Sequence, residues 1–259
     1  MQETAREIDW AKWLRRWDAQ QEGYLPDREE RFGVMLDVLD ALMSDEFVAI
    51  DLAAGPGSIS QRLLGRFPRA RSLAVDLDPV LMTMGQAVLG DMDGRLRWVE
   101  ADLNGDEWPA ALGVERVDAV LSTTALHWLP PGGLNPLARR LASIVRPGGV
   151  FLDGDHMGFP PHLATFGRVS SALNERRWGT AFAAPGAEDW DDWWSAFGQE
   201  SGTGDLIEER TRRFAWSTHD ADATAPILEV YEAALRDAGF REVGVIWQKL
   251  DNRVLMAVR

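Results

Sequence analysis

Three acidic residues, each at the end of an apolar run, form the pattern in this chain most capable of chemistry. In "FVAIDLAAGPGSIS" (47–60) the run ends at Asp51 and opens into Gly55-Pro56-Gly57. Asp76 closes "RSLAVD", and Asp102 follows "LRWVEA". A strand that delivers the chain to a glycine turn lets backbone approach a nucleotide. The dinucleotide fingerprint G-x-G-x-x-G is incomplete, because Ser60 stands in the third glycine's place, which weakens a nicotinamide reading. A carboxylate at Asp51 would repel a pyrophosphate, yet it could favour an ammonium or a sulfonium group, and S-adenosylmethionine carries both. Asp76 lies about 20 residues past the glycines, where a carboxylate accepts from ribose hydroxyls. Asp102 could accept from an adenine amino group. Three carboxylates at three successive strand ends are far more specific than the glycines alone.

Such a constellation needs a frame that brings strand ends together. From Phe47 onward, apolar runs of strand length alternate with helical patterns: 47–53, 58–67, 71–78, 79–89, 96–103, 117–126, 134–145 and 150–156. This rhythm implies right-handed βαβ crossovers and a parallel sheet with ligands outside its carboxyl edge. Trp10, Trp13, Leu14 and Trp17 mark one face of a short helix, and Phe32, Met35, Leu36, Leu39, Leu42 and Met43 mark a second, with Asp27 as its N-cap. Residues 157–212, rich in Gly, Pro and Trp, break the rhythm. A helix at 225–240 and two strands turning at Asp251-Asn252 restore it. The expected layout is α/β: a doubly wound, Rossmann-like sheet of seven strands. Its parts are a helical cap (1–44), a core (45–156), a substrate-side insertion (157–212) and a C-terminal helix with strands (213–259).

The segments "DLAAGPGS", "AVDLDP", "EADL", "DAVLSTTALHWL" and "LASIVRPGGVFL" resemble a class I S-adenosylmethionine-dependent methyltransferase, strongly over 20–155 and more weakly to the C-terminus. That family's first motif is D/E-x-G-x-G-x-G, and here Ala53 replaces the first glycine. The resemblance implies an antiparallel seventh strand beside the fifth. It implies that Gly55 and Gly57 approach the methionine part of the cofactor, that Asp76 with Leu77 holds the ribose, and Asp102 with Leu103 the adenine. Ser122 would line the site after strand four. "YLPDREERF" resembles the subgroup of trans-aconitate methyltransferases, in which an arginine after the tyrosine reaches the cofactor carboxylate; after Tyr24, Arg31 is the first choice and Arg28 the second. Methyl transfer needs positioning and a dry site, and a base only where the acceptor must lose a proton. His127, after strand four, and His156, ending strand five, could serve as that base. His162 and His219 have weaker cases.

Composition narrows the acceptor. The formal net charge is −14, with no strongly basic run, which opposes nucleic-acid binding. The absence of cysteine excludes disulfides, cysteine–metal sites and thiol chemistry, including RNA cytosine-C5 methylation. The N/D-P-P-Y signature of amino-methylating enzymes is absent, since strand four gives "STTA". No metal set is expected, although "HDADA" (219–223) has an O/N-ligand look. No signal peptide or bilayer-length apolar run is visible, so a cytoplasmic monomer or homodimer with no membrane partner is expected. Tryptophans cluster at Trp10/Trp13/Trp17 and Trp178/Trp190/Trp193/Trp194. They serve either as packing or as the wall of a site for a small apolar or aromatic acceptor. A protein of this fold without methyl-transfer activity, and a nicotinamide-dependent oxidoreductase, remain as alternatives.

Overall fold

The computed structural model describes residues 8–130, 132–215 and 226–259. His219 and the "HDADA" segment lie outside the described residues. Two helices, α1 (Trp10–Tyr24) and α2 (Arg28–Leu42), precede β1 (Val48–Leu52). Then follow α3 (Ser58–Arg66), β2 (Arg71–Asp76), α4 (Pro79–Leu89), β3 (Leu96–Glu100), the short α5 (Trp108–Ala111) and β4 (Val117–Thr123). A single 3-10 turn (Leu126–Trp128) leads to α6 (Leu134–Ile144) and β5 (Val145–His156). Helices α7 (Ala164–Ala181), α8 (Trp190–Gly198), α9 (Gly204–Arg213) and α10 (Leu228–Asp237) precede β6 (Glu242–Lys249) and β7 (Asn252–Val258). Among the described residues, no helix is long and apolar enough to cross a membrane.

The sheet order is β3-β2-β1-β4-β5-β7-β6, with β7 antiparallel to both of its neighbours. Strand order reverses between β1 and β4, which opens a crevice at the carboxyl edge. Asp51 pairs with Leu121 there, and Leu52 with Ser122. Two apolar layers cover the sheet. Ile50, Val75, Val120 and Phe151 pack against α6 and α10, while Ala49, Ala74, Leu121 and Leu152 pack against α2 and α3. This two-sided burial explains why the central strands are continuous apolar runs that break only at their acidic ends.

Three local expectations are corrected. Asp27 stands at the N-cap of α2 but makes no capping hydrogen bond; its carboxylate instead accepts from Lys249 Nζ at 2.6 Å, tying α2 to β6. The hairpin turns at Leu250-Asp251, with Leu250 at φ +58°, and Asn252 is already in β7. The insertion holds the helices α7, α8 and α9. Of these, α8 is capped by Asp189, which accepts from Asp192 N, and it buries Trp193 and Phe197. Those two rings pack on Trp13 of α1, with centroids at 5.5 and 5.0 Å, and the cluster extends to Val80, Leu81 and Met84 of α4. Cap and insertion therefore share one aromatic core.

Gly85 sits in the interior of α4, where glycine costs about 1 kcal/mol relative to alanine. Its reason is close approach: an added Cβ would lie 2.3 Å from the Trp98 ring and 2.6 Å from the Pro56 carbonyl oxygen. The glycine thus seats the Gly55–Gly57 turn on α4. Gly85→Ala should lower stability by about 1–3 kcal/mol despite the gain in helix propensity, because overpacking outweighs propensity here. Urea unfolding of the two proteins measures the sign.

Candidate active site

The glycine turn is built as a cradle. Gly55 and Gly57 have φ of +55° and +84°. An added Cβ on Gly55 would meet nothing nearer than Leu81 Cδ1 at 3.6 Å. Ala53, in place of the motif's first glycine, adopts the same left-handed region at φ +54°. Asp76 holds the turn through Gly55 N–H, donated to its Oδ2 at 2.6 Å, while Oδ1 accepts from Leu77 N and Asp78 N at 2.7 Å each. Burial raises its pKa to about 6, the charge of Asp78 adds to this, and the three amides oppose it. The Leu77 carbonyl accepts from Arg213 of α9 at 3.1 Å, and Arg210 donates to Asp78 at 2.6 Å. Helix α9 thus straps the ends of β2 and β3, a feature with no signal in the sequence pattern. Asp102 is half-buried, with Oδ1 accepting from Asn104 N and Nδ2; Leu103 packs on the core beneath.

Four sequence-derived assignments change. Asp51 is buried, and its Oδ2 accepts from Ser60 N and Ser60 Oγ, both at 2.8 Å. Burial pushes its pKa up to about 7 against those hydrogen bonds. It anchors the start of α3 rather than presenting a free charge to a ligand. Ser122 is buried within the sheet, donating to the Leu52 carbonyl at 2.9 Å. Tyr24 joins cap to insertion: its hydroxyl accepts from Trp190 N at 3.0 Å, and its ring lies on Phe182. Arg31 is buried, with Nη1 on Asn252 Oδ1 at 2.9 Å and Nη2 on the hydroxyls of Thr123 and Thr124. Burial lowers its pKa to about 10, with Asp155 and Asp153 opposing. Arg28 lies against the cradle instead, with Nη2 on Ser58 Oγ and Nη1 on Asp18 Oδ1, each at 2.8 Å.

Across the crevice stand the two histidines, each held by a carboxylate. His127, in the 3-10 turn after β4, has Nδ1 at 2.9 Å from both oxygens of Asp155. His156, at the end of β5, has Nδ1 3.2 Å from Asp251 Oδ2. Asp251 also accepts from Ser170 and Asn174 of α7, at 2.5 and 3.1 Å. Despite its burial, its pKa is held well below the usual carboxylate range by His156 and these two donors. Burial pulls the His127 imidazole toward neutrality, but the charge and hydrogen bond of Asp155 outweigh it, so its pKa is raised above 6.5. Asp155 is buried yet held low, chiefly because His127 offsets the cost of burial. Asp153, two residues earlier on the same face, is buried with no hydrogen-bond partner on either oxygen, and its pKa is raised. The run "FLDGDH" carried a signal for this pair, since acids at i and i+2 of a buried strand share one face. His162 is exposed. Among the described residues no three His, Asp or Glu side chains gather to hold a metal ion.

The aromatic residues divide between two roles. Trp13, Trp17 and Trp193 are core. Trp128 and Trp190 are half-buried, with ring centroids 5.7 Å apart, and the Trp128 ring lies 5.7 Å from that of His127. They form an aromatic wall beside the His127–Asp155 pair.

This sheet order, with β7 antiparallel, and the glycine turn with acids ending β2 and following β3 are the arrangement that the resemblance to class I S-adenosylmethionine-dependent methyltransferases implies. Residues 49–149 match the family described as methyltransferase domain. Over 136 residues the chain is 32% identical to the trans-aconitate 2-methyltransferase of Azoarcus sp. (strain BH72), which takes in 52% of this chain and 48% of that one. The chain thus spans about half the length of this curated relative. Among solved structures, an O-methyltransferase family protein from Burkholderia thailandensis superposes with a TM-score of 0.54 at 19% identity, covering 88% of this chain and 55% of that one. A candidate S-adenosylmethionine-dependent methyltransferase from Methanococcus maripaludis gives 0.52 at 14% identity, covering 100% and 97%. At such identities, these two likenesses concern the fold.

The His127–Asp155 pair has a consequence for stability. A histidine whose pKa is higher folded than unfolded stabilises the fold below the unfolded value, and that contribution disappears as pH rises through the folded value. His127→Gln keeps an amide donor for Asp155 but does not titrate. Its stability deficit relative to the parent should therefore be larger at pH 6 than at pH 9 in urea titrations. An equal deficit at both values would contradict the raised pKa.

Proposed function

We propose that the chain transfers a methyl group from S-adenosylmethionine to a small apolar or aromatic acceptor, with His127 as the base where the acceptor must lose a proton. The observation that carries this reading is the meeting, at one crevice, of a glycine cradle flanked by strand-end acids with a carboxylate-oriented histidine beside a tryptophan wall. The cofactor supplies an activated methyl on a sulfonium. The cradle suits its methionine part, because the backbone at Gly55 is open where a side chain would otherwise stand. Arg28, which opens α2 and bonds Ser58 on the first turn of α3, is the group for the carboxylate. Asp76 Oδ2, which accepts only from Gly55 N, has a second lone pair to accept from a ribose hydroxyl, and Asp102 with Leu103 borders the adenine.

Orientation and exclusion of water are the chain's main contributions. Asp155 fixes His127 with Nδ1 as the donor, which leaves Nε2 as the acceptor for a proton. Once His127 is protonated, Asp155 stabilises the imidazolium in a site where water does not screen the pair. His156, fixed by Asp251, is the second candidate base. Trp128 and Trp190 offer apolar ring area beside His127, which favours an apolar or aromatic acceptor. The acceptor atom, whether O, N or C, is left open by this reading.

Thermal shift with S-adenosylmethionine, S-adenosylhomocysteine and NAD(H) tests the reading. The first two should stabilise the protein; stabilisation by NAD(H) alone sinks the proposal. By calorimetry, Asp76→Ala and Arg28→Met should each weaken S-adenosylhomocysteine binding by about tenfold or more, roughly the value of one charged hydrogen bond. Unchanged dissociation constants would remove those two assignments.

A further inference from the structure

We infer that Arg31 is a positioning residue: its guanidinium holds the left-handed turn out of β4 that aims His127, and it does not bind the cofactor carboxylate. The inference rests on the reading of His127 as the group facing the acceptor.

Arg31 reaches from α2 across the carboxyl ends of β4 and β5 and the amino end of the antiparallel β7. Its stem lies on Gly154 of β5, where an added Cβ would come within 2.9 Å of Cδ and Nε, so no side chain fits there. Nη1 donates to Asn252 of β7, and Nη2 to the hydroxyls of Thr123 and Thr124 where β4 ends. Thr124 has φ +53°. A β-branched residue in that region is strained and stays there only when its surroundings fix it. Two contacts fix it here: the Arg31 fork on its hydroxyl, and its amide donated to the Gly154 carbonyl at 2.9 Å. The amide contact continues the pairing of β4 with β5, and the contact on the hydroxyl is supplied by the Arg31 side chain. The direction in which the chain leaves Thr124 sets Ala125 and the 3-10 turn, and hence the approach of His127 to Asp155.

A planar fork is suited to donors aimed at several acceptors at once, whereas an ammonium on a flexible stem is not. A carboxylate reaching Arg31 would have to displace those partners. Arg28, one turn earlier and on Ser58, has no such commitment to β4. The charged groups around Arg31 are Asp153 and Asp155 of β5, His127 of the 3-10 turn, and Asp27 and Arg28 beside or within its own helix. Its positive charge depresses the His127 pKa. Simple removal of that charge should therefore raise the His127 pKa, while loss of the turn should lower it by separating His127 from Asp155. The two roles give opposite signs.

The test is an NMR titration of His127 in the cofactor-free protein for the parent, Arg31→Met, Arg31→Lys, Thr124→Gly and Arg31→Met/Thr124→Gly, with S-adenosylhomocysteine calorimetry on each. Arg31→Met is expected to move the His127 pKa down toward the ordinary 6.5. Arg31→Lys, which keeps the charge, should move it the same way, and it carries the comparison if the methionine variant does not fold. Glycine adopts the left-handed region without strain, so the double variant should recover at least about half of the shift. The dissociation constant for S-adenosylhomocysteine should stay within about twofold in both Arg31 variants. An upward shift in Arg31→Met, no recovery in the double variant, or roughly tenfold weaker binding in Arg31→Lys would each overturn the inference. If the parent protein binds no S-adenosylhomocysteine at all, the methyltransferase reading fails, while the His127 titrations still decide the role of Arg31.

Discussion

A carboxylate taken out of water must find donors or give up its charge, and the carboxyl edge of this sheet is organised around that constraint. Asp155 meets it with three donors: His127 Nδ1, and His156 N and His127 N at 2.7 and 3.4 Å. One buried acid thereby fixes the ends of β4 and β5 relative to each other and gives His127 a defined tautomer. Asp153, two residues earlier, has no donor, and two unscreened negative charges on one strand face would repel strongly. The pair resolves this with one charge, on Asp155, and one proton, on Asp153. The Tyr231 hydroxyl, also buried without a partner, has its pKa raised chiefly by burial and further by both acids. At His127 the charge and hydrogen bond of Asp155 outweigh burial and the charge of Arg31, which favours the imidazolium.

The tryptophans answer a related question of where apolar area is spent. Trp13, Trp17, Trp193 and Phe197 join α1, α8 and α4 into a second core separate from the sheet layers. Edge-to-face pairs at 5.1–5.5 Å and the stacked Trp193–Phe197 pair give it defined geometry. Because 165 residues (25–189) separate α1 from α8, this contact fixes cap and insertion over the crevice at the same time. Trp190 belongs to both settings: it packs on Trp17 at 5.7 Å and faces Trp128 beside His127. The aromatic wall is therefore an extension of a rigid core, and its position follows from packing far from the chemistry.

The strands were legible because burial on both faces turns them into unbroken apolar runs with an acid at the boundary. Asp76 and Asp102 were found on that signal alone. The insertion helices were not legible for the opposite reason. Helix α7 runs for 18 residues yet buries only Ser170 and Asn174, so it has no apolar stripe to betray a period. Arg28 and Arg31 could not be separated in sequence, since i and i+3 place both on one face of α2. What distinguishes them is which distant partner each meets, Ser58 at the start of α3 or Thr123 and Thr124 at the end of β4. Asp155 is equivalent to Asp153 in the alternation of its strand, and only the fold shows which of the two meets His127.

The departures from the glycine motif have physical reasons in the core. Ser60, in the third glycine's place, donates to Asp51 and lies 2.8 Å from the hydroxyl of Ser72 on β2. Glycine at that position would leave Asp51, buried at the centre of the sheet, with the Ser60 amide as its one remaining donor. The acid that closes β1 and the serine that opens α3 are thus one hydrogen-bonded unit, and each makes the other's residue type necessary. Asp51 is consumed by that unit, so its charge does not select the ligand. In the proposed reading, the choice of a sulfonium cofactor over a dinucleotide then falls to the cradle backbone, Arg28, and the acids at positions 76 and 102.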